Sequence, residues 1–323
     1  MNNYTWVQKQ LHQIALSTQF MRETSFDAEK LLIKNNIVED NHVFVAGLAR
    51  SGTTILLNAL FESNQFASLS YNDMPFVLAP NIWSRFISSK QDSRLVERSH
   101  EDGIKISVNS PEAFEEVFWN TFPDSKESSQ QEFKRYIDLI THKYQKDRYL
   151  SKNNQNIRRL GLISSIFPNS RILIPFRDPI QHANSLLFQH NKFIHRSKQD
   201  SFVSDYMKWI GHKEFGPHYV PIHNDNLKFE DSFHLNHWIE QWYLTYKYSY
   251  ELLKDFKNVT FLSYERLCNE KDFWHCLLEQ LKLERYDFEF NESLKNVTYS
   301  VDNDLYENSY NLFYKLSSLN PDI

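Results

Sequence analysis

The stretch HVFVAGLARSGTTILLNAL, His42 to Leu60, holds two of the only six glycines in a chain of 323 residues. An apolar, β-branched run of strand length enters it, and a helical apolar pattern leaves it. Glycine accepts left-handed backbone and lets a neighbour approach the main chain without a Cβ in the way. A glycine-poor chain that spends Gly47 and Gly52 on one strand-to-helix junction predicts a turn with something lying against it. Backbone N–H groups converge at such a junction and the helix N-terminus adds partial positive charge, so an anion is the natural occupant. Arg50 adds a cation there, and Ser51, Thr53 and Thr54 add hydroxyl donors.

The arrangement recurs along the chain. In SRILIPFRDPIQHANSLLFQH, Arg171–Phe176 reads as a strand, Asp178-Pro179 as the break and Ile180–His190 as a helix. Pro179 suits the first position of a helix, where its missing N–H costs nothing. A third strand is expected over Val259–Ser263, and residues 1–35 read as helical through Leu11, Ile14, Ala15 and Leu16. Strands alternating with helices predict an α/β fold with a mostly parallel sheet covered on both faces. The whole of 1–323 is read as one domain, with an N-terminal helical segment over 1–40. The stretches at about 72–130 and 190–240 are read as substrate-side insertions at the carboxyl ends of the strands.

Composition narrows the function. A net charge of −5 argues against general nucleic-acid binding, which needs a basic footprint. Cys268 and Cys276 give no disulfide framework and no zinc spacing. The start shows no basic region followed by an apolar one, and no run of 18 apolar residues occurs, so neither a signal peptide nor a membrane span is expected. Together these features predict a soluble, cytoplasmic protein.

A nucleoside-triphosphatase loop would read Gly-x4-Gly-Lys-Ser/Thr, with the lysine on the β- and γ-phosphates. Here Thr53 stands at the lysine position, and the cation, Arg50, comes three residues earlier. A kinase reading therefore lacks its main phosphate clamp. The run Arg50-Ser51-Gly52-Thr53-Thr54, with Arg177 followed eight residues later by Ser185, resembles the sulfotransferases that use 3′-phosphoadenosine 5′-phosphosulfate (PAPS). The segment YLSKNNQNIRRLGLISSIFPNSRILIPFRDP further resembles the tyrosine-sulfating branch and its bacterial relatives, with Lys152 at that branch's lysine position. LSYERL resembles the family's Tyr-Glu-x-Leu element, which implies Tyr264 near the adenine. An Arg-Lys-Gly triplet found late in other branches is missing, since no glycine follows Gly216.

The resemblance implies a P-loop-like three-layer α/β/α fold and the roles that follow. The first turn would hold the 5′-phosphosulfate, and Arg177 with Ser185 the 3′-phosphate. Arg50 and Lys152 would neutralise charge building on the leaving oxygen, with no metal. Two candidates stand for the general base: Asp73, two residues off the place where the tyrosine-sulfating branch carries a glutamate, and His100, whose ordinary pKa suits the task. The expected acceptor is a hydroxyl or amine of a glycan, lipid or small molecule in preference to protein tyrosine, because no basic strip awaits an acidic peptide. A P-loop small-molecule kinase and a non-catalytic adenosine-bisphosphate-binding module remain as alternatives.

Other features have plainer readings. Eight of the thirteen histidines fall between His182 and His237, but without His-Glu-x-x-His or cysteine support they predict no metal site. Trp238, Trp242 and Tyr246 form a helical stripe that reads as core. Ser110-Pro111-Glu112 reads as a helix start that explains Glu112, Glu115 and Glu116, and Arg158 and Arg159 read as a solvated face.

Overall fold

Val43, Phe44 and Val45 are all fully buried, and that explains why their run is apolar without alternation: the strand is covered on both faces. In the computed structural model, which describes residues 5–33, 40–86, 96–97, 105–199, 201–225, 227–252, 256–292 and 300–319, this strand is the middle of a five-stranded sheet. The strands are β1 (Val43–Val45), β2 (Phe66–Ala67), β3 (Val96–Glu97), β4 (Lys105–Ile106), β5 (Arg148–Lys152), β6 (Arg171–Phe176) and β7 (Val259–Ser263). The main sheet has the order β2-β5-β1-β6-β7, parallel throughout, while β3 and β4 form a separate antiparallel ribbon.

The helices are α1 (Trp6–Leu16), α2 (Gln19–Leu32), α3 (Thr53–Phe61), α4 (Pro80–Ser84), α5 (Glu115–Thr121), α6 (Ser128–Tyr144), α7 (Leu160–Ile166), α8 (Pro179–Gln199), α9 (Ser201–Trp209), α10 (Leu235–Leu252), α11 (Tyr264–Asn269), α12 (Lys271–Gln280) and α13 (Asn303–Ser318). Side chains alternate across the sheet. Phe44, Ile172 and Ile174 join Phe133, Ile137, Trp242 and Tyr246 on the face covered by α6 and α10. Val43, Val45, Leu173 and Leu262 join Leu56, Leu60, Trp274 and Leu278 on the face covered by α3 and α12. The result is the expected three-layer α/β/α arrangement.

Pro175 lies inside β6, between two neighbours, where a missing N–H would normally break a ladder. It is tolerated because β1 pairs only as far as Ala46, whose N–H meets Leu173 O at 2.9 Å, and then turns away. Pro175 O is instead satisfied by the Tyr246 hydroxyl at 2.9 Å.

Strands β6 and β7 have the bounds read from the sequence. Three other expectations change. The amino-terminal stretch is two helices rather than one, each capped by a threonine side chain, and Ile14 points to solvent. The helix after Pro179 continues to Gln199, because apolar spacing through Leu186, Leu187 and Phe193 keeps one face buried beyond His190. No helix starts at Ser110: the chain stays extended there, bridging Ser70 to Pro111, and α5 begins only at Glu115.

Among the described residues no helix is long and apolar enough to cross a membrane. Trp242 and Tyr246 are fully buried, as a core stripe requires. Trp242→Ala should therefore cost about 3–5 kcal/mol of unfolding free energy in urea titrations. Tyr248→Ala, on the exposed side of the same helix, should shift it by less than about 0.5 kcal/mol.

Candidate active site

The turn between β1 and α3 takes three left-handed residues, Gly47 (φ 143°), Arg50 (φ 72°) and Gly52 (φ 100°). A Cβ on Gly47 would sit 3.3 Å from Pro175 O and 3.4 Å from Ser51 Oγ, so this glycine lets β6 pass close. A Cβ on Gly52 would overlap the Tyr264 ring, 2.6 Å from Cε2. The second glycine thus makes room for an aromatic ring beside the turn. Gly52 is also the N-cap of α3, so the N–H groups of the first turn have no acceptor within the helix. Arg50 is not a glycine, and left-handed backbone costs such a residue on the order of 1–3 kcal/mol. Thr53 and Thr54 open α3; Ser51 is fully buried beneath the turn beside Gly47.

The two arginine-bearing turns meet. Arg50 Nε donates to Ser185 Oγ at 3.2 Å, and the Arg177 guanidinium reaches Arg50 O at 3.5 Å. Arg177 Cζ lies 5.9 Å from the centre of the Tyr264 ring. The Arg50 side chain therefore reaches toward the residue expected at the other anion subsite, while its backbone stays in the first turn. Register brings the end of β5 to the same place: Lys152 pairs with Val45, and Asn153 N donates to Val45 O at 3.0 Å.

Polar side chains fix these turns from behind. Asp178 Oδ1 caps α8 by accepting from Gln181 N at 2.9 Å, just before Pro179 at the first helical position. His182 Nε2 lies 2.7 Å from Ala49 O. Burial pushes the His182 ring down to about 3, so it is neutral and donates its Nε2 proton to that carbonyl. His182 is neither a surface residue nor a metal ligand; its position three residues before Ser185, on one helical face, is the sequence signal for this role. Thr53 Oγ1 donates to Asn154 Oδ1 at 3.3 Å, joining α3 to the turn that follows Lys152.

That turn is held by α5, and here two expectations are corrected. Glu115 and Glu116 do open a helix, but it is α5 and not one starting at Ser110, and both are buried acceptors rather than mere first-turn charges. Glu115 Oε1 accepts from Asn156 Nδ2 at 2.6 Å and Oε2 from Tyr149 Oη at 3.1 Å. Glu116 Oε2 accepts from Asn153 Nδ2 at 2.9 Å and from Arg159 at 2.7 Å. Arg159, read as solvated, is buried in an ion pair with Glu116 and lies over the Trp119 ring.

Asp73 is fully buried, and both its oxygens are engaged. Oδ1 pairs with Lys143; Oδ2 accepts from Ser70 N at 2.7 Å and Tyr144 Oη at 2.6 Å. To act as a base it would first have to leave this network. His100 lies outside the described residues. Glu214, to which no sequence motif points, is a carboxylate within the electrostatic reach of Lys152. Glu214 Oε2 is 3.2 Å from His212 Nδ1 and accepts from Lys213 N at 3.0 Å, while Oε1 accepts from Gln155 Nε2 at 3.3 Å. Burial alone would raise the Glu214 carboxyl, but His212 and Lys152 outweigh it and hold it below the ordinary value. Burial also pulls the His212 imidazole down, against the pull of Glu214.

Among the described residues no group of three or more His, Cys, Asp or Glu is arranged to hold a metal ion. The remaining histidines of the 190–240 stretch brace loops: His237 meets Tyr219 Oη at 2.6 Å and Phe229 O at 2.7 Å, and His190 Nδ1 accepts from Gly216 N at 3.2 Å.

The buried imidazoles set a pH dependence. His182 at about 3 and His42 at about 4 stay neutral when folded, whereas unfolded histidine takes up a proton below about 6.5. The unfolded state then binds more protons, and stability falls as pH drops through that window, by about 1.4 kcal/mol per pH unit for each group. His182→Gln keeps a donor for Ala49 O and should make the curve of unfolding free energy against pH shallower between about pH 6 and 4 by one such slope. An unchanged slope would show that His182 does not titrate as its burial requires.

The match to known proteins covers the same residues. The model of the sulfotransferase family matches residues 42–218, more than half of the chain, and spans both arginine-bearing turns and Lys152. The crystal structure of sulfotransferase STF1 from Mycobacterium tuberculosis H37Rv superposes with a TM-score of 0.51 at 9% identity, over 88% of this chain and 79% of that one. Sulfotransferase STF9 from Mycobacterium avium gives 0.47 at 12% identity, over 97% and 79%. At such identities the first likeness concerns the fold alone. No curated protein matches. With the family's match over the site-bearing half and the parallel sheet that carries it, the chain belongs to the sulfotransferase family.

Proposed function

We propose that this protein transfers a sulfuryl group from PAPS to a hydroxyl of an acceptor molecule. The observation that carries the reading is the meeting of Arg50, Ser185, Arg177 and Tyr264, delivered by the ends of β1, β6 and β7, at one turn. A nucleotide with phosphates at both 3′ and 5′ positions needs two neighbouring anion subsites and a surface for its base. The N–H groups opening α3 with Thr53 and Thr54 suit the 5′ end, and Arg177 and Ser185 the 3′-phosphate. The Tyr264 ring, which Gly52 lets pack beside the turn, suits the adenine. Arg50, with backbone in one subsite and guanidinium at the other, spans both.

When bound, the donor supplies the sulfuryl group and a phosphate to leave. Lys152 neutralises the charge that grows on the bridging oxygen, and the first-turn N–H groups of α3 orient the phosphate. His182 and Asn154 keep the turn in place, so little reorganisation accompanies the charge shift. Thr53 in place of the phosphate-clamping lysine disfavours the kinase reading.

Thermal shift separates the readings. 3′-Phosphoadenosine 5′-phosphate at a hundred times its Kd should stabilise the protein by about 2.7 kcal/mol. ATP with magnesium should do far less; the reverse order would favour a kinase. Stabilisation by the bisphosphate with no sulfate transfer to any acceptor pool would favour a binding module. Arg177→Ala should weaken bisphosphate binding by about 10- to 150-fold, the worth of one lost charged hydrogen bond. Lys152→Ala should leave that binding largely intact and slow turnover by about 10²–10³.

A further inference from the structure

Beside the turn between β1 and α3 lies a narrow, largely apolar recess. It is lined by Gly47, Leu48 and Ala49 of the turn and by Leu186, Val220 and Trp238 among others. We propose that this recess is the acceptor site, that it takes a slender uncharged alcohol or phenol with an apolar body, and that Glu214 is the base that removes the hydroxyl proton. The proposal rests on the sulfotransferase reading above and deepens it.

The apolar character is stronger than the residue names suggest, because the polar atoms around the recess are committed elsewhere. Trp238 Nε1 donates to Ser232 O at 2.8 Å, and Tyr219 Oη is bound to His237. Gln241 uses both ends of its amide on the His223 backbone, at 2.7 and 3.3 Å. Asn154 Oδ1 takes the Thr53 hydroxyl. A sugar would lose its hydration here and find few replacements, and each unpaired hydroxyl costs on the order of 1–3 kcal/mol. An aryl or alkyl body faces no such penalty.

Glu214 is the carboxylate that lines the recess, and its Oε1 accepts the 3.3 Å bond from Gln155. Oε2 accepts from the Lys213 N–H and faces His212, which fix the carboxylate at the recess. Lys152, whose charge acts on Glu214, belongs to the leaving side of the reaction. In the step, the acceptor oxygen forms a new S–O bond as the S–O bond to the 5′-phosphate breaks. The electron pair of the broken bond stays on the phosphate oxygen, and the hydroxyl proton passes to Glu214 Oε1 and on to water.

The test uses the full chain, PAPS as donor, and 2-naphthol, 1-octanol and N-acetylglucosamine as acceptors, with thermal shift by the bisphosphate nucleotide as a separate readout. Expected are sulfation of naphthol or octanol but not of the sugar, and a loss of about 10²–10⁴ in kcat for Glu214→Gln with the thermal shift retained. Val220→Trp, which fills the recess from its exposed side, should raise KM for naphthol at least about tenfold with the thermal shift again retained. Sulfation of the sugar alone, or of none of the three, overturns the acceptor class while leaving the donor reading standing. Full kcat in Glu214→Gln, or its loss in Glu112→Gln instead, overturns the base. Absence of any shift with the bisphosphate overturns the donor reading, and this proposal with it.

Discussion

The arrangement depends on one tie: the turn after β1 is bound to the first turns of α8. Arg50 reaches Ser185, Arg177 reaches the Arg50 carbonyl, and His182 holds the Ala49 carbonyl. This brings two guanidinium groups to one place, a repulsive arrangement wherever water is partly excluded. The buried His182 imidazole, which burial and both cations push down, stays neutral there and adds no further charge. Arg50 holds left-handed backbone in the same turn.

The sheet makes the tie possible. Its three inner strands end together, so β1, β5 and β6 deliver their turns to one edge, and β7 adds Tyr264 beside them. Ending β1 early has two effects. It frees the chain to make the glycine turn before α3, and it removes the ladder partner that Pro175 could not have satisfied. The buried carboxylates of α5 then hold the turn after Lys152 from the opposite side. Packing and polar satisfaction thus converge on two short loops.

Carboxylates are where reading the chain and seeing it folded part most. Glu115 and Glu116 look like a helix's acidic first turn, yet they are interior acceptors for Asn153, Asn156, Tyr149 and Arg159. Asp73 occupies nearly the place of a base in the family resemblance, yet it is sealed by Lys143 and Tyr144. Glu214, inside a motif-free stretch, lies within the electrostatic reach of Lys152 instead. Spacing along a chain tells which face of an element a residue occupies; it does not tell which distant element covers that face.

The residues by themselves determined the strand–turn–helix units, the bounds of β6 and β7, and the placing of Arg50, Arg177 and Ser185 just past strand ends, where the structure brings them together. Those features are local: hydrophobic period, glycine and proline chemistry and short spacings act within a dozen residues. Only the tertiary structure decided that Arg50 turns toward Ser185, that Gly52 serves the Tyr264 ring, and that Glu214 comes within the electrostatic reach of Lys152 while Asp73 is sealed by Lys143. Each of these is a contact between segments more than fifty residues apart, and such contacts are fixed by how the layers pack rather than by any pattern along the chain.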